Sequence, residues 1–258
     1  MHETIGIIEV RPDAPQCESK LARRLGGKSL LEWVVRRATD CEQLSAVVVL
    51  LPASAERIRE LVPPDVPVVV GHGRDPLENF VSALEAHSAH GVVRICADTP
   101  FVDPVLIDRL VSTSRSHAAC DYIGYCSSTG QRAILLPLGL SAEWCQAGAL
   151  RQAAREATQS IDRQHVTRYV YSHPEKFRIR LVPVPAELDR HDVRLKIRGE
   201  EDWEHAQVIH EALGGEDSDW QRIAGLLEDQ PALRERMAVL NRGDTAELPL
   251  TGRSGTHC

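Results

Sequence analysis

Two hydrophobic patterns alternate along the first half of the chain. Residues 4–10 form a short β-branched run, and residues 46–51 are continuously apolar. Runs at 66–70 and 91–96 repeat the theme. Continuous apolar runs of this length suit strands covered on both faces of a parallel sheet. Between them the spacing turns helical. Residues 29–39 put Leu30, Leu31, Val34 and Val35 on one face, and residues 75–88 do the same with Leu77, Phe80, Val81 and Leu84. Residues 53–61 predict a helix ended by Pro63 and Pro64. Residues 103–114 open with Asp103 as N-cap and Pro104 in the first turn. This order predicts a three-layer α/β/α, Rossmann-like fold around a mostly parallel sheet. Ligands in such sheets bind outside the carboxyl ends of the strands, at a switch in strand order. The loops at 11–28 and 97–103 are therefore the candidate site.

The second half is more mixed. Residues 122–125, 133–138 and 177–184 read as strands, and 148–157 and 164–172 as helices. Residues 203–213, 220–227 and 232–240 are amphipathic helices. We expect one α/β domain over residues 1–242, with a helical tail from about 200, and a flexible polar tail over 243–258.

Composition removes several function classes. The net charge is −7 over 258 residues, and no dense Lys/Arg run suggests a nucleic-acid face. No apolar run approaches membrane-spanning length, and the N-terminus lacks the features of a secretory signal. A cytoplasmic protein is expected. The seven cysteines are scattered without a CxxC pair, so free thiols are expected rather than disulfides or zinc. Of the eleven histidines, His205 and His210 share one helix and read as a solvated face rather than a metal site.

The chemistry concentrates in the first candidate loop. Arg11, Lys20 and Lys28 follow the first strand, and a loop carrying cations can wrap phosphates. Neither GxxxxGK[ST] nor GxGxxG is present.

The stretch from Ile7 to Leu31, ending in Leu25-Gly26-Gly27-Lys28-Ser29-Leu30-Leu31, resembles the N-terminus of the spore-coat-polysaccharide-type cytidylyltransferases, relatives of the enzymes that make CMP-activated sugar acids. Further stretches of similarity are collinear: His72-Gly73-Arg74-Asp75-Pro76-Leu77, the run from Val93 to Pro104 around Asp98, and the run from Arg163 to Tyr171 around His165-Val166-Thr167. The resemblance spans about residues 4–241. It implies transfer of CMP from CTP to a sugar in surface-polysaccharide or glycoconjugate synthesis, with pyrophosphate leaving. It implies that Arg11, Gln16 and Lys20 lie on the nucleotide, that Lys20 and Asp98 are catalytic, and that Asp98 holds Mg²⁺. It puts Arg163 and His165 on the sugar side, and a homodimer is expected because related enzymes form one.

The departures bear on the same chemistry. Gln16 stands where the family has a phosphate-binding arginine, and Glu18 puts negative charge beside it. The second metal-binding aspartate is replaced by Arg198, and residues 130–135 lack the family's acidic stretch. Arg198 is expected to pair with Asp98 or a phosphate and to do part of the work of Mg²⁺. The alternative function is a catalytically degenerate relative that keeps the fold as a nucleotide- or sugar-binding module. A glycosyltransferase of similar topology ranks behind both, because no Asp-x-Asp motif is clear.

Overall fold

The computed structural model describes residues 2–11, 17–140, 142–215 and 218–247. Gln16 and the tail from 248 onward lie outside them. The frame is a seven-stranded sheet in the order β5-β4-β1-β6-β8-β7-β9, with β1 His2–Glu9, β4 Ala46–Pro52, β5 Val68–Gly71, β6 Ala89–Cys96, β7 Tyr122–Cys126, β8 Glu143–Gln146 and β9 Ile179–Pro183. β2 (Arg24–Leu25) and β3 (Lys28–Ser29) form a separate small hairpin. Strands β5, β4, β1 and β6 are parallel neighbours, and β7 pairs parallel with β9. β8 runs antiparallel to both β6 and β7.

Helices cover both faces. α2 (Leu30–Thr39) and α4 (Pro104–Ser116) bury one apolar layer, and α3 (Pro76–Ala86) and α5 (Ala147–Glu156) bury the other. The caps expected from the sequence form. Asp75 accepts from the Glu78 N–H, and Asp103 from the Leu106 N–H. Asp103 is fully buried, and it also accepts from the Trp220 N–H and faces Arg37 at 3.6 Å. One side chain thereby fastens α2, α4 and α9 (Trp220–Asp229). Burial pushes its carboxyl above the usual range, against the pull of those hydrogen bonds.

The first half matches its expected elements, with one refinement: residues 53–61 are a 3₁₀ helix with a kink at Ala55. The second half departs more. Residues 133–138 are not a strand; Ala133–Leu135 is a short 3₁₀ turn. The strand in that region is β8, whose sequence Glu-Trp-Cys-Gln has no strong β signature. The helix expected at 164–172 is two short ones, α6 (Ser160–Gln164) and α7 (Arg168–Ser172), broken at His165-Val166-Thr167. Residues 243–247, expected in a flexible tail, are helical, because α10 runs Pro231–Glu247; the rest of that tail lies outside the described residues. Asp244 in it pairs with Arg194 and Arg198 at 2.5 and 2.6 Å. No described helix is long and apolar enough to cross a membrane.

His205 and His210, expected on a solvated face, are not there. On α8 (Glu200–Leu213), His205 is 2% exposed, and His210 meets the Trp33 ring edge-on at 5.3 Å. Burial holds both, and His165, below the ordinary imidazole value. The unfolded chain therefore binds protons that the folded chain refuses as pH falls through about 6.5. Stability should drop on acidification from pH ~7.5 to ~5.5, with a smaller drop in His205→Gln. Denaturant unfolding at the two pH values checks it; equal midpoints for the parent would refute the burial argument.

Candidate functional site

From β1 the chain builds outward through β4 to β5 and then returns to β6 on the other side of β1, so the switch in strand order falls at the carboxyl ends of β1 and β6. Glu9, Val10 and Arg11 leave one strand there, and Cys96, Ala97 and Asp98 leave the other. The Ala97 N–H donates to the Glu9 carbonyl at 3.2 Å, so the ladder carries the two exits side by side. Two cavities of about 350 and 330 Å³ open at this edge, and Glu9 and Arg11 line both.

The second cavity holds most of the expected residues. Its walls include Arg11, Lys20, Asp98 and Arg198, together with Cys17, Leu21 and Lys196. Lys20 is not on an open loop. It sits on α1 (Cys17–Ala22), where its ammonium donates to the Ile197 carbonyl at 3.2 Å and lies 3.9 Å from the Asp98 carboxylate. Glu18 is exposed on the same helix and is not among the lining residues, so its charge is not at the centre of the cavity. Lys28 stands apart, with its ammonium 4.8 Å from the centre of the Trp33 ring.

Arg198 does not take the place expected of it. Its guanidinium pairs with Asp244 at 2.6 Å, at the edge of α10. The cation beside Asp98 is Lys196, at 3.6 Å. The local chain explains this. The chain bends at Lys196, with Leu195 and Ile197 each 2% exposed against the core; Arg194 is buried on Asp202 and Asp244, while Lys196 and Arg198 reach the cavity wall. The Ile197 N–H donates to the Asp98 carbonyl at 2.9 Å, and the Leu195 N–H to the Pro137 carbonyl at 2.9 Å. Gly139 permits the approach: at φ +68, a Cβ there would lie 2.5 Å from the Leu195 carbonyl carbon. Lys196 is held above its ordinary value, chiefly by the ionised form of Cys96 and further by Asp98, against the opposing effect of burial. Its signal in the sequence was the alternation of three cations with buried residues.

The first cavity lies toward β4 and β5. It is lined by Pro52, Ala53, Ser54, Gly71, Gly73, Arg74 and Asp75, among others. The expected sugar-side pair divides. Arg163 is occupied by Asp75 at 2.5 Å and by the carbonyls of Ala154 and Ala157, both at 3.1 Å. It clamps α3 to the end of α5. His165, at the break between α6 and α7, places Nδ1 3.5 Å from the Arg11 guanidinium. Its pKa is lowered by burial and then by Arg11 and Arg94, which keeps the imidazole neutral near pH 7.

Beneath both cavities lies a buried polar network. Arg94 donates to Glu9 at 2.7 Å and to Glu143 at 2.9 Å, and none of the three is more than 6% exposed. Glu143 also accepts from Tyr122 at 2.5 Å and Thr167 at 2.9 Å. Thr167 thereby fixes the His165-Val166-Thr167 break to the sheet. Glu9 and Glu143 went unrecognised in the sequence, because a carboxylate inside a strand run reads as a solvent-facing position.

At Asp98, Oδ2 lies 3.9 Å from the Lys20 ammonium, and the buried Oδ1 lies 3.6 Å from that of Lys196 without accepting a hydrogen bond. No cluster of three His, Cys, Asp or Glu side chains able to hold a metal occurs among the described residues. The six described cysteines are free thiols.

Comparison with known proteins agrees with this architecture. An uncharacterised protein of Methanocaldococcus jannaschii is 28% identical over 233 residues, covering 89% of this chain and 92% of that one. The spore coat polysaccharide biosynthesis protein SpsF of Bacillus subtilis is 26% identical over 222 residues, covering 83% and 89% respectively. The resemblance read from the motifs therefore extends over nearly the full length of a spore-coat protein. Among solved structures, a cytidylyltransferase from Leptospira borgpetersenii superposes with a TM-score of 0.77 at 19% identity, covering 90% of this chain and 97% of that one. The model of the MobA-like NTP transferase domain matches residues 16–170, more than half of the sequence, and the chain belongs to that family.

Proposed function

We propose that the chain is a cytidylyltransferase, moving CMP from CTP to a sugar in surface-polysaccharide or glycoconjugate synthesis. The observation that carries this is the second cavity, at the switch in strand order, whose wall carries Arg11, Lys20, Lys196 and Arg198, with Lys20 and Lys196 flanking Asp98. Such a cluster suits a triphosphate, whose charge needs neutralising as pyrophosphate leaves. Fold likeness to a cytidylyltransferase and sequence likeness to a spore-coat protein supply the nucleotide and the pathway class. In this reading a sugar oxygen attacks the α-phosphorus, the bond to the bridging oxygen breaks, and pyrophosphate departs. Lys20 and Lys196 neutralise the phosphates and hold Asp98 in place. His165, neutral beside Arg11, borders the acceptor. Arg163 supports the site by clamping it. Asp98 would be the protein carboxylate nearest a Mg²⁺ brought by CTP, which would add to the neutralisation of the phosphates. Reaction on a soluble nucleotide suits a cytoplasmic protein, and a homodimer remains part of the reading.

Calorimetric titration with CTP, CMP, UTP and ATP, with and without Mg²⁺, tests the reading. CTP should bind most tightly, and Mg²⁺ should change its affinity less than about ten-fold, because ammonium groups already flank Asp98. No binding by any triphosphate would overturn the proposal. Binding strictly dependent on Mg²⁺ would return the ion to Asp98. The rival, a degenerate binding module, is favoured by Arg198 standing where the related enzymes have a carboxylate. It predicts CTP binding without pyrophosphate release in the presence of any acceptor sugar.

A further inference from the structure

We propose that Glu9 is a specificity-determining residue that accepts a hydrogen bond from a donor group on the nucleoside, where the two cavities meet. This rests on the nucleotide reading above. Glu9 lines both cavities, and its residue is only 4% exposed. Its two oxygens have different fates. Oε2 accepts from Arg94 at 2.7 Å, while the buried Oε1 has no hydrogen-bond partner among the described residues. A buried carboxylate oxygen left without a donor costs folding free energy, so it persists where something completes it. Arg94 is already shared with Glu143, and Glu143 has Tyr122 and Thr167 besides. Glu9 is the member of the network left incomplete, and it is the one that reaches the cavities.

The chemistry of the missing partner follows. An ionised carboxylate only accepts, so the partner must donate. A phosphate cannot, and both lysines and Arg198 line the second cavity, while the first carries Arg74 and the Arg11 that the two share. The first cavity is walled in part by Pro52, Ala53, Gly71 and Gly73, small residues that leave room for a flat ring. A nucleotide with its phosphates in the second cavity and its base in the first passes Glu9 with its ribose or base edge. The donor is then a ribose hydroxyl or the amino group of cytosine.

The test is calorimetric titration of the full chain and of Glu9→Gln with CTP, UTP, 2′-deoxy-CTP and 3′-deoxy-CTP. In the parent, the analogue lacking the recognised donor should bind at least about ten-fold more weakly than CTP. UTP as the weak ligand identifies the base amino group; a deoxy analogue identifies the hydroxyl. In Glu9→Gln that discrimination should collapse, because the amide nitrogen presents a donor to a donor. Equal affinities of the parent for all four ligands overturn the inference even if Glu9→Gln does not fold. So does a folded Glu9→Gln with the parent's selectivity. Mn²⁺ alone binding the parent and not Glu9→Gln would make Oε1 a metal ligand and also overturn it. A parent that binds no triphosphate overturns the nucleotide reading and this one together, whereas triphosphate binding without donor discrimination overturns this one alone.

Discussion

Arg94→Met should lower the unfolding free energy by roughly 3–5 kcal/mol, because it leaves two buried carboxylates without their shared cation. Arg94 sits on β6 directly opposite Glu143 on β8, and Glu9 comes from β1. At roughly 2–4 °C per kcal/mol for a chain of this size, the melting temperature should fall by about 6–20 °C. The cost arises from uncompensated charge rather than lost volume, since Met fills much of the same space. The triple variant Arg94→Met/Glu9→Gln/Glu143→Gln should therefore recover part of the loss, as neutral amides tolerate burial better. Thermal unfolding of the three proteins decides the matter. A single variant within about 1 kcal/mol of the parent, or a triple variant less stable than the single one, would show that charge pairing does not hold this part of the sheet.

Lys196→Ala should weaken CTP binding by roughly 10- to 100-fold, the loss of one charge-assisted contact of about 1.5–3 kcal/mol. Lys20→Ala should act similarly, since both ammonium groups flank Asp98 in the cavity wall. Lys28→Ala should leave affinity unchanged, because that side chain lies over Trp33. Arg198→Ala should cost less than Lys196→Ala, because Asp244 already engages the guanidinium. Calorimetry on the four variants ranks them. If Arg198→Ala is the most damaging, the guanidinium leaves Asp244 for the phosphates. The expectation drawn from sequence would then stand in place of the lysine assignment.

The sequence alone determined the parallel half of the sheet, since continuous apolar runs alternating with helical spacing leave few other folds. It also singled out two loops, and Arg11, Lys20 and Asp98, which it named there, line one cavity. These features are local: a strand pattern, a cap, or a cation after a strand can be read within a dozen residues. What only the tertiary structure decided were partnerships over long separations. Arg198 and Lys196 are equivalent cations in the sequence. Their roles diverge because Gly139 lets the chain approach Asp98 with Lys196 foremost, while α10 brings Asp244 to Arg198. Strand β8 was hidden because its Glu143 is polar by composition. It becomes a central strand residue only when Arg94, Tyr122 and Thr167, from three distant segments, satisfy its charge. Likewise His205 is buried on α8 beside Trp203, Ala206 and Ile209, although its polar ring reads as solvent-facing in the sequence. Hydrophobic periodicity reports the free energy of leaving water. A buried charge is stabilised by its partners, and those are chosen only when the chain closes on itself.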